Sequence, residues 1–169
     1  EVRRVLEPDR CIDARETISQ WAGYEPTALT RFDDLAAKLE LDSVYYKDES
    51  TRFGLGSFKA LGGAYAVQRV LHQALKTQLG DAAISLEDIN QQRYPDLVNS
   101  MTVVTATDGN HGRSVAWGAQ RFGCQCVIYM HENVSPARQQ AVEAYGARVE
   151  RVAGNYDDSV HQADHDARQ

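Results

Sequence analysis

The chain has 169 residues, 43% of them hydrophobic and 25% charged, and a formal net charge of −6. This is the composition of a soluble globular protein with ample material for one core. The acidic balance argues against nucleic acid or an anionic membrane as partner, and no apolar run is long enough to span a bilayer.

The opening stretch, EVRRVLEPDRC, lacks the apolar centre of a signal peptide and has no initiator Met, so a processed or trimmed N-terminus is expected. After this polar opening, SVYYKDES reads as a short strand running into a charged loop. Val44, Tyr45 and Tyr46 supply the β-propensity, and Lys47, Asp48, Glu49 and Ser50 end it. TRFGLG is a glycine loop. From Phe58 the spacing turns helical, with Phe58, Leu61, Tyr65, Leu71 and Leu75 on or near one stripe. Residues 77–100 read as a polar connection, within which Ser85 and Asp88 have capping-box spacing.

The remainder alternates regularly. MTVVTA is a strand, a helix follows from about Asn110 to Arg121, and CQCVIYM is the next strand. SPARQQAVEAYG is a helix with Ser135 as N-cap, Pro136 at the first helical position and Gly146 near its end. ARVERVA is a third strand, and NYDDSVHQADHDARQ begins a third helix. Alternating strands and helices with short links imply an open parallel sheet covered by helices, an α/β fold. No Gly, Asn or Pro stop follows the last helix, and three strands are few for such a sheet. The chain is therefore expected to be the N-terminal part of a larger protein.

Cys11, Cys124 and Cys126 make neither a disulfide framework nor a zinc set. Cys124 and Cys126, two apart in a predicted strand, face one side as buried thiols. Reduced thiols fit a cytoplasmic protein. GLGSFK has Lys59 where a dinucleotide fingerprint needs its third glycine, and no P-loop spacing occurs. His161 and His165 lie four apart near Asp164 and Asp166, but without the Glu of H-E-x-x-H or a third ligand they read as a solvated face; no metal site is expected.

Two residues carry more chemistry. Lys59 follows a glycine loop at the start of an apolar-striped helix, where the local field and desolvation both disfavour its charged form. A lysine of this kind suits Schiff-base chemistry; standing alone it would be a surface lysine. Asp108, in TATDGNHGRSVAWG, stands where a strand gives way to a helix. It can be an ordinary helix cap, a base aimed into a site, or both.

KDES, then GSFK, then a strand and TDGNHG resemble the pyridoxal-phosphate enzymes of the tryptophan-synthase-like fold, fold type II. The resemblance runs from about Tyr24 onward. It implies a two-domain α/β fold with helices on both faces of the sheet, residues 1–84 belonging to a large domain that carries the Schiff-base lysine and 85–169 to a smaller one. It implies pyridoxal 5'-phosphate as cofactor, with Lys59 as its covalent anchor, the Asn110 amide on its ring oxygen, and Phe58, Gly109 and the backbone to Gly112 beside the ring. The family's phosphate loop and its partner for the pyridine nitrogen are expected beyond Gln169.

Family members usually carry Ser or Thr where this chain has Asp108. The aspartate resembles the branch that eliminates ammonia from 2,3-diaminopropionate, where it removes a proton from the D-substrate while the lysine serves the L-substrate. A homodimeric enzyme acting on a small amino acid, yielding pyruvate and two ammonia, is implied. Two other readings stay open: a serine/threonine dehydratase-type lyase of the same fold, and a non-catalytic α/β ligand-binding module.

Overall fold

β-branched and apolar residues are dense in two short stretches after Met101, and both form strands of a parallel sheet. A computed structural model describes residues 7–80 and 83–168; the first residues of the opening stretch and Gln169 lie outside them. The elements are α1 (Pro8–Ser19), β1 (Leu29–Arg31), α2 (Asp33–Lys38), β2 (Tyr45–Lys47), a 3-10 turn (Arg52–Gly54), α3 (Ala60–Leu79), α4 (Leu86–Asn90) and α5 (Pro95–Asn99). They continue with β3 (Thr102–Ala106), α6 (Asn110–Phe122), β4 (Gln125–His131), α7 (Pro136–Glu143), β5 (Arg148–Val152) and α8 (Tyr156–Asp166).

Strands β3, β4 and β5 pair in parallel in that order, with α6 and α7 as the crossovers that parallel neighbours require. Side chains alternate along β4. Cys126, Ile128 and Met130 join one cluster with Val115, Ala119 and Phe122 of α6, while Val127 and Tyr129 pack with Ala106 and with Ala163 of α8 on the other face. Helices thus cover both faces, as the strand–helix rhythm predicts.

Helix α3 lies against α6 through a seam of small residues. A Cβ at Gly63 would overlap the Ser114 hydroxyl, and one at Gly118 would come within 2.7 Å of the Ala64 Cα. Lys59 is four residues before Gly63, and Asn110 four before Ser114, so the seam brings both helix starts to one end. Trp21 closes that core, ringed by Phe53, Trp117 and Phe122, and its indole donates to the buried Gln68 at 3.2 Å. Residues on both sides of the boundary at 84 and 85 belong to this single cluster, Ile84 among them.

Several local expectations change. Helix α1 occupies part of the polar opening, and β1 pairs antiparallel with β2 as a separate ribbon. The stretch 77–100 is more than a polar link: α4 and α5 form in it, and Ile84, Ile89 and Val98 are buried. The Ser85–Asp88 capping box forms. Phe58 does not continue the α3 stripe. The helix begins only at Ala60, after a turn through Gly56 at φ 65°, and Phe58 is left 55% exposed. Ser135 holds the N-cap position of α7 without a side-chain capping bond.

Strand β4 begins one residue after Cys124, yet both thiols meet the same cluster. Burial pushes Cys124 up to about 11 and Cys126 up to about 12, so both are protonated at neutral pH. His161 and His165 are exposed on α8, and among the described residues no three His, Cys, Asp or Glu converge on one point. No helix among the described residues is long and apolar enough to cross a membrane.

Candidate active site

The parallel register decides what stands at the sheet's C-terminal edge. Ala106 of β3 is level with Tyr129 of β4, and the Thr107 N–H extends the ladder to the Tyr129 carbonyl at 3.0 Å. Two residues further along each strand come Asp108 and His131, with Asp108 Oδ2 3.8 Å from His131 Nε2. The open edge beyond the C-terminal ends of the strands is where α/β sheets bind ligands.

Asp108 is not the helix cap. The buried Thr107 hydroxyl accepts from the Gly112 N–H at 3.2 Å and from the Gly109 N–H at 3.4 Å, so it serves the free donors of the first turn. A side chain at Gly112 would overlap the Thr107 methyl, so glycine there lets the hydroxyl reach its donors. The Asp108 carboxylate is left to line a cleft of about 330 Å³, with Gly109, Asn110 and Arg113 on the α6 side and Arg138, Ala141 and Val142 from α7. That volume is at the lower end of small-molecule pockets, about 300–1,000 Å³. A Cβ at Gly109 would meet nothing within 4 Å, so the backbone there borders open space. The Asn110 side chain is exposed and makes no hydrogen bond among the described residues.

The lysine side is built differently. The Arg52 guanidinium, 5% exposed, grips both oxygens of Glu49 at 2.8 and 3.0 Å and also donates to the Glu25 carbonyl. The Thr27 hydroxyl donates to the same carboxylate at 2.5 Å. Hydrogen bonds from Arg52 hold Glu49 down at about 2, against its desolvation. The Glu49 of the KDES stretch is thus a structural anchor for the loop that leads to Lys59. Arg113 ties this loop to α6 by donating to the Leu55 carbonyl at 3.1 Å.

Lys59 itself is exposed, its Nζ 5.1 Å from the centre of the Phe58 ring, so the described residues do not supply the desolvation expected for it. His111, in the first turn of α6, has its pKa pushed down by partial burial and then by the Lys59 charge nearby. The two motifs therefore share one end of the α3–α6 seam, although Lys59 and Phe58 do not line the 330 Å³ cleft.

An accessible primary amine, bare backbone at Gly109 and an uncommitted amide at Asn110 fit a flat aldehyde cofactor with a polar ring substituent. Sequence reasoning missed Thr107, His131, Arg113 and Arg138. Thr107 is hidden beside the more obvious Asp108. His131 could have been found from the last residue of the strand CVIYMH, had the register with TVVTA been known. The two arginines belong to helices whose mutual packing no local pattern reveals.

A family described as pyridoxal-phosphate dependent enzymes matches residues 21–169. The diaminopropionate ammonia-lyase of Escherichia coli strain K12 is 42% identical over 147 residues, 87% of this chain and 35% of that enzyme. The crystal structure of the E. coli diaminopropionate ammonia lyase in apo form superposes with a TM-score of 0.83 at 37% identity, covering 96% of this chain and 43% of that one. The same E. coli enzyme in complex with D-serine gives 0.81 at 40% identity, over 95% of this chain and 40% of that one. The chain thus spans about a third of the length of the curated relatives it matches.

Proposed function

The chain belongs to the pyridoxal-phosphate-dependent enzymes, and from that premise we propose that the whole protein eliminates ammonia from D- and L-2,3-diaminopropionate, giving pyruvate and two ammonia. One observation carries the choice of substrate. Where the family usually has a hydroxyl residue, this chain has a carboxylate that is released from helix capping and lines the cleft. A relative with this activity, at 42% identity, supports the same reading.

In this reading Lys59 Nζ would hold the cofactor covalently, with the Asn110 amide as a donor to it and Gly109 and Phe58 as its neighbours. Bound there, the cofactor serves as an electron sink for the charge left at the substrate Cα. The two enantiomers turn their Cα proton to opposite faces, so a single base cannot reach both. Once the substrate amine has displaced it, the freed Lys59 Nζ would take the proton of the L-substrate, and the Asp108 carboxylate would take that of the D-substrate. The alternative role for Asp108, pairing with the substrate's β-ammonium group, would serve both enantiomers alike. Arg113, tied to both Leu55 and Tyr145, keeps the lysine loop seated against α6 while this happens.

The same reading makes the protein a cytoplasmic homodimer, with 1–84 part of the large lysine-bearing domain and 85–169 part of the smaller one. The test is pyruvate formation by the full-length protein with pyridoxal phosphate. Both diaminopropionate enantiomers are expected to outpace L-serine and L-threonine. Faster turnover of serine or threonine would make it a dehydratase. No visible absorption from a lysine-bound cofactor would make it a binding module.

A further inference from the structure

We propose that His131 is a positioning residue for Asp108, presenting its Nε2–H to the carboxylate and fixing the direction in which that carboxylate faces the cleft. The proposal rests on the reading of Asp108 as a base. Its first support is topological. The pairing of Ala106 with Tyr129 makes Asp108 and His131 neighbours across two hydrogen-bonded strands, so their approach follows from the sheet itself.

The second support is the ring's tautomer. The Asn133 backbone N–H donates to His131 Nδ1 at 3.3 Å, which makes Nδ1 an acceptor. In the neutral ring the proton then sits on Nε2, the atom 3.8 Å from Asp108 Oδ2. That separation is within ion-pair range, and a protonated ring would offer the same edge.

The third support is the contrast in exposure and partners. The His131 side chain is 19% exposed, and the backbone around it is held by bonds from Arg151 and Val134 to its carbonyl. Asp108 is 44% exposed and has no other ion-pair partner among the described residues. Arg113 is engaged with the Leu55 carbonyl and the Tyr145 hydroxyl. A half-exposed carboxylate without a fixed neighbour samples several rotamers, and a base that must meet one proton needs one of them.

The test uses the full-length holoenzyme. His131→Phe keeps a flat ring but loses the donor, and His131→Gln keeps an N–H near the place of Nε2. His131→Phe is expected to lower kcat on D-diaminopropionate about tenfold or more, the usual scale for losing an orienting partner, while sparing the L-enantiomer. His131→Gln should recover most of the loss. In ¹⁵N-histidine-labelled protein the His131 ring should show the Nε2–H tautomer, and its Nε2 signal should move on Asp108→Asn. Equal losses on both enantiomers, no loss in His131→Phe, or an Nδ1–H tautomer would overturn the proposal. If Asp108→Asn leaves the ratio of D to L activity unchanged, the base reading itself falls, and the ring signals alone then decide whether the contact exists.

Discussion

Asp108 and Lys59 stand at the same end of the α3–α6 seam, but one is carried by backbone and the other by side chains. Asp108 follows directly from a parallel ladder, with the buried Thr107 hydroxyl closing the first turn of α6 behind it. Lys59 follows a loop whose shape depends on an ion pair, Arg52 on Glu49, and on the hydrogen bonds that Thr27 and Glu25 add to it. The ladder is held by backbone hydrogen bonds, whereas the loop depends on an ionised carboxylate, Glu49. Protonating Glu49 should therefore loosen the lysine loop without touching the backbone bonds that carry Asp108.

The largest expected effect breaks the lysine side chemically. Lys59→Ala in the full-length protein should abolish covalent attachment of pyridoxal phosphate and steady turnover together. Borohydride reduction of the wild-type holoenzyme and peptide mapping should place the cofactor on Lys59; label on Lys47 or Lys76 would reassign the anchor.

The next effect sharpens the contrast by pH. Glu49 has its pKa lowered from an ordinary 4.5 to about 2. A depressed carboxylate adds stability that is complete above the unfolded value and is lost as pH falls through the folded one. The pair should thus lose about 3 kcal/mol between roughly pH 5 and pH 2. Glu49→Gln should remove that slope. It should also cost about 3–5 kcal/mol at neutral pH, because it strands the buried Arg52 charge. Denaturant midpoints of wild type and variant across this range measure both effects, and parallel curves would contradict the assignment.

The smallest effect probes the ladder side. Thr107→Ala removes the hydroxyl that serves the Gly112 and Gly109 N–H groups and should cost about 1 kcal/mol in denaturant unfolding, with no acid dependence. Asp108→Asn, at the neighbouring position, should leave that stability unchanged. A larger stability loss from Asp108→Asn than from Thr107→Ala would return the capping role to the aspartate.

The two sides also differ in how far the sequence revealed them. The strand–helix rhythm after Met101 was legible because Val103, Val104, Val127 and Ile128 concentrate β-propensity between clear helix signals. Lys59 and Asp108 were legible as motifs, and so was the Ser85–Asp88 capping box. The capping by Thr107 was not, because both residues suit a helix start and only backbone geometry separates them. Nor was His131, since its nearness to Asp108 exists only in the strand register. Helix α1 was missed because PDRCIDARETIS buries only Ile18 and so shows almost no apolar period. Ile84, Ile89 and Val98 were missed because their short apolar pieces, such as AAI and LV, are scattered among polar residues without a regular period, though all three reach one core.

Activity of Asp108→Asn on the separate enantiomers of 2,3-diaminopropionate tests most directly whether the two sides hold two different bases. The amide keeps the shape of the side chain but cannot accept the Cα proton. Activity on the D-enantiomer should fall roughly a hundredfold or more, the ordinary cost of losing a general base, while the L-enantiomer, served by Lys59, stays near the wild-type rate. Equal losses on both enantiomers, whether large or small, would contradict a base of its own at Asp108.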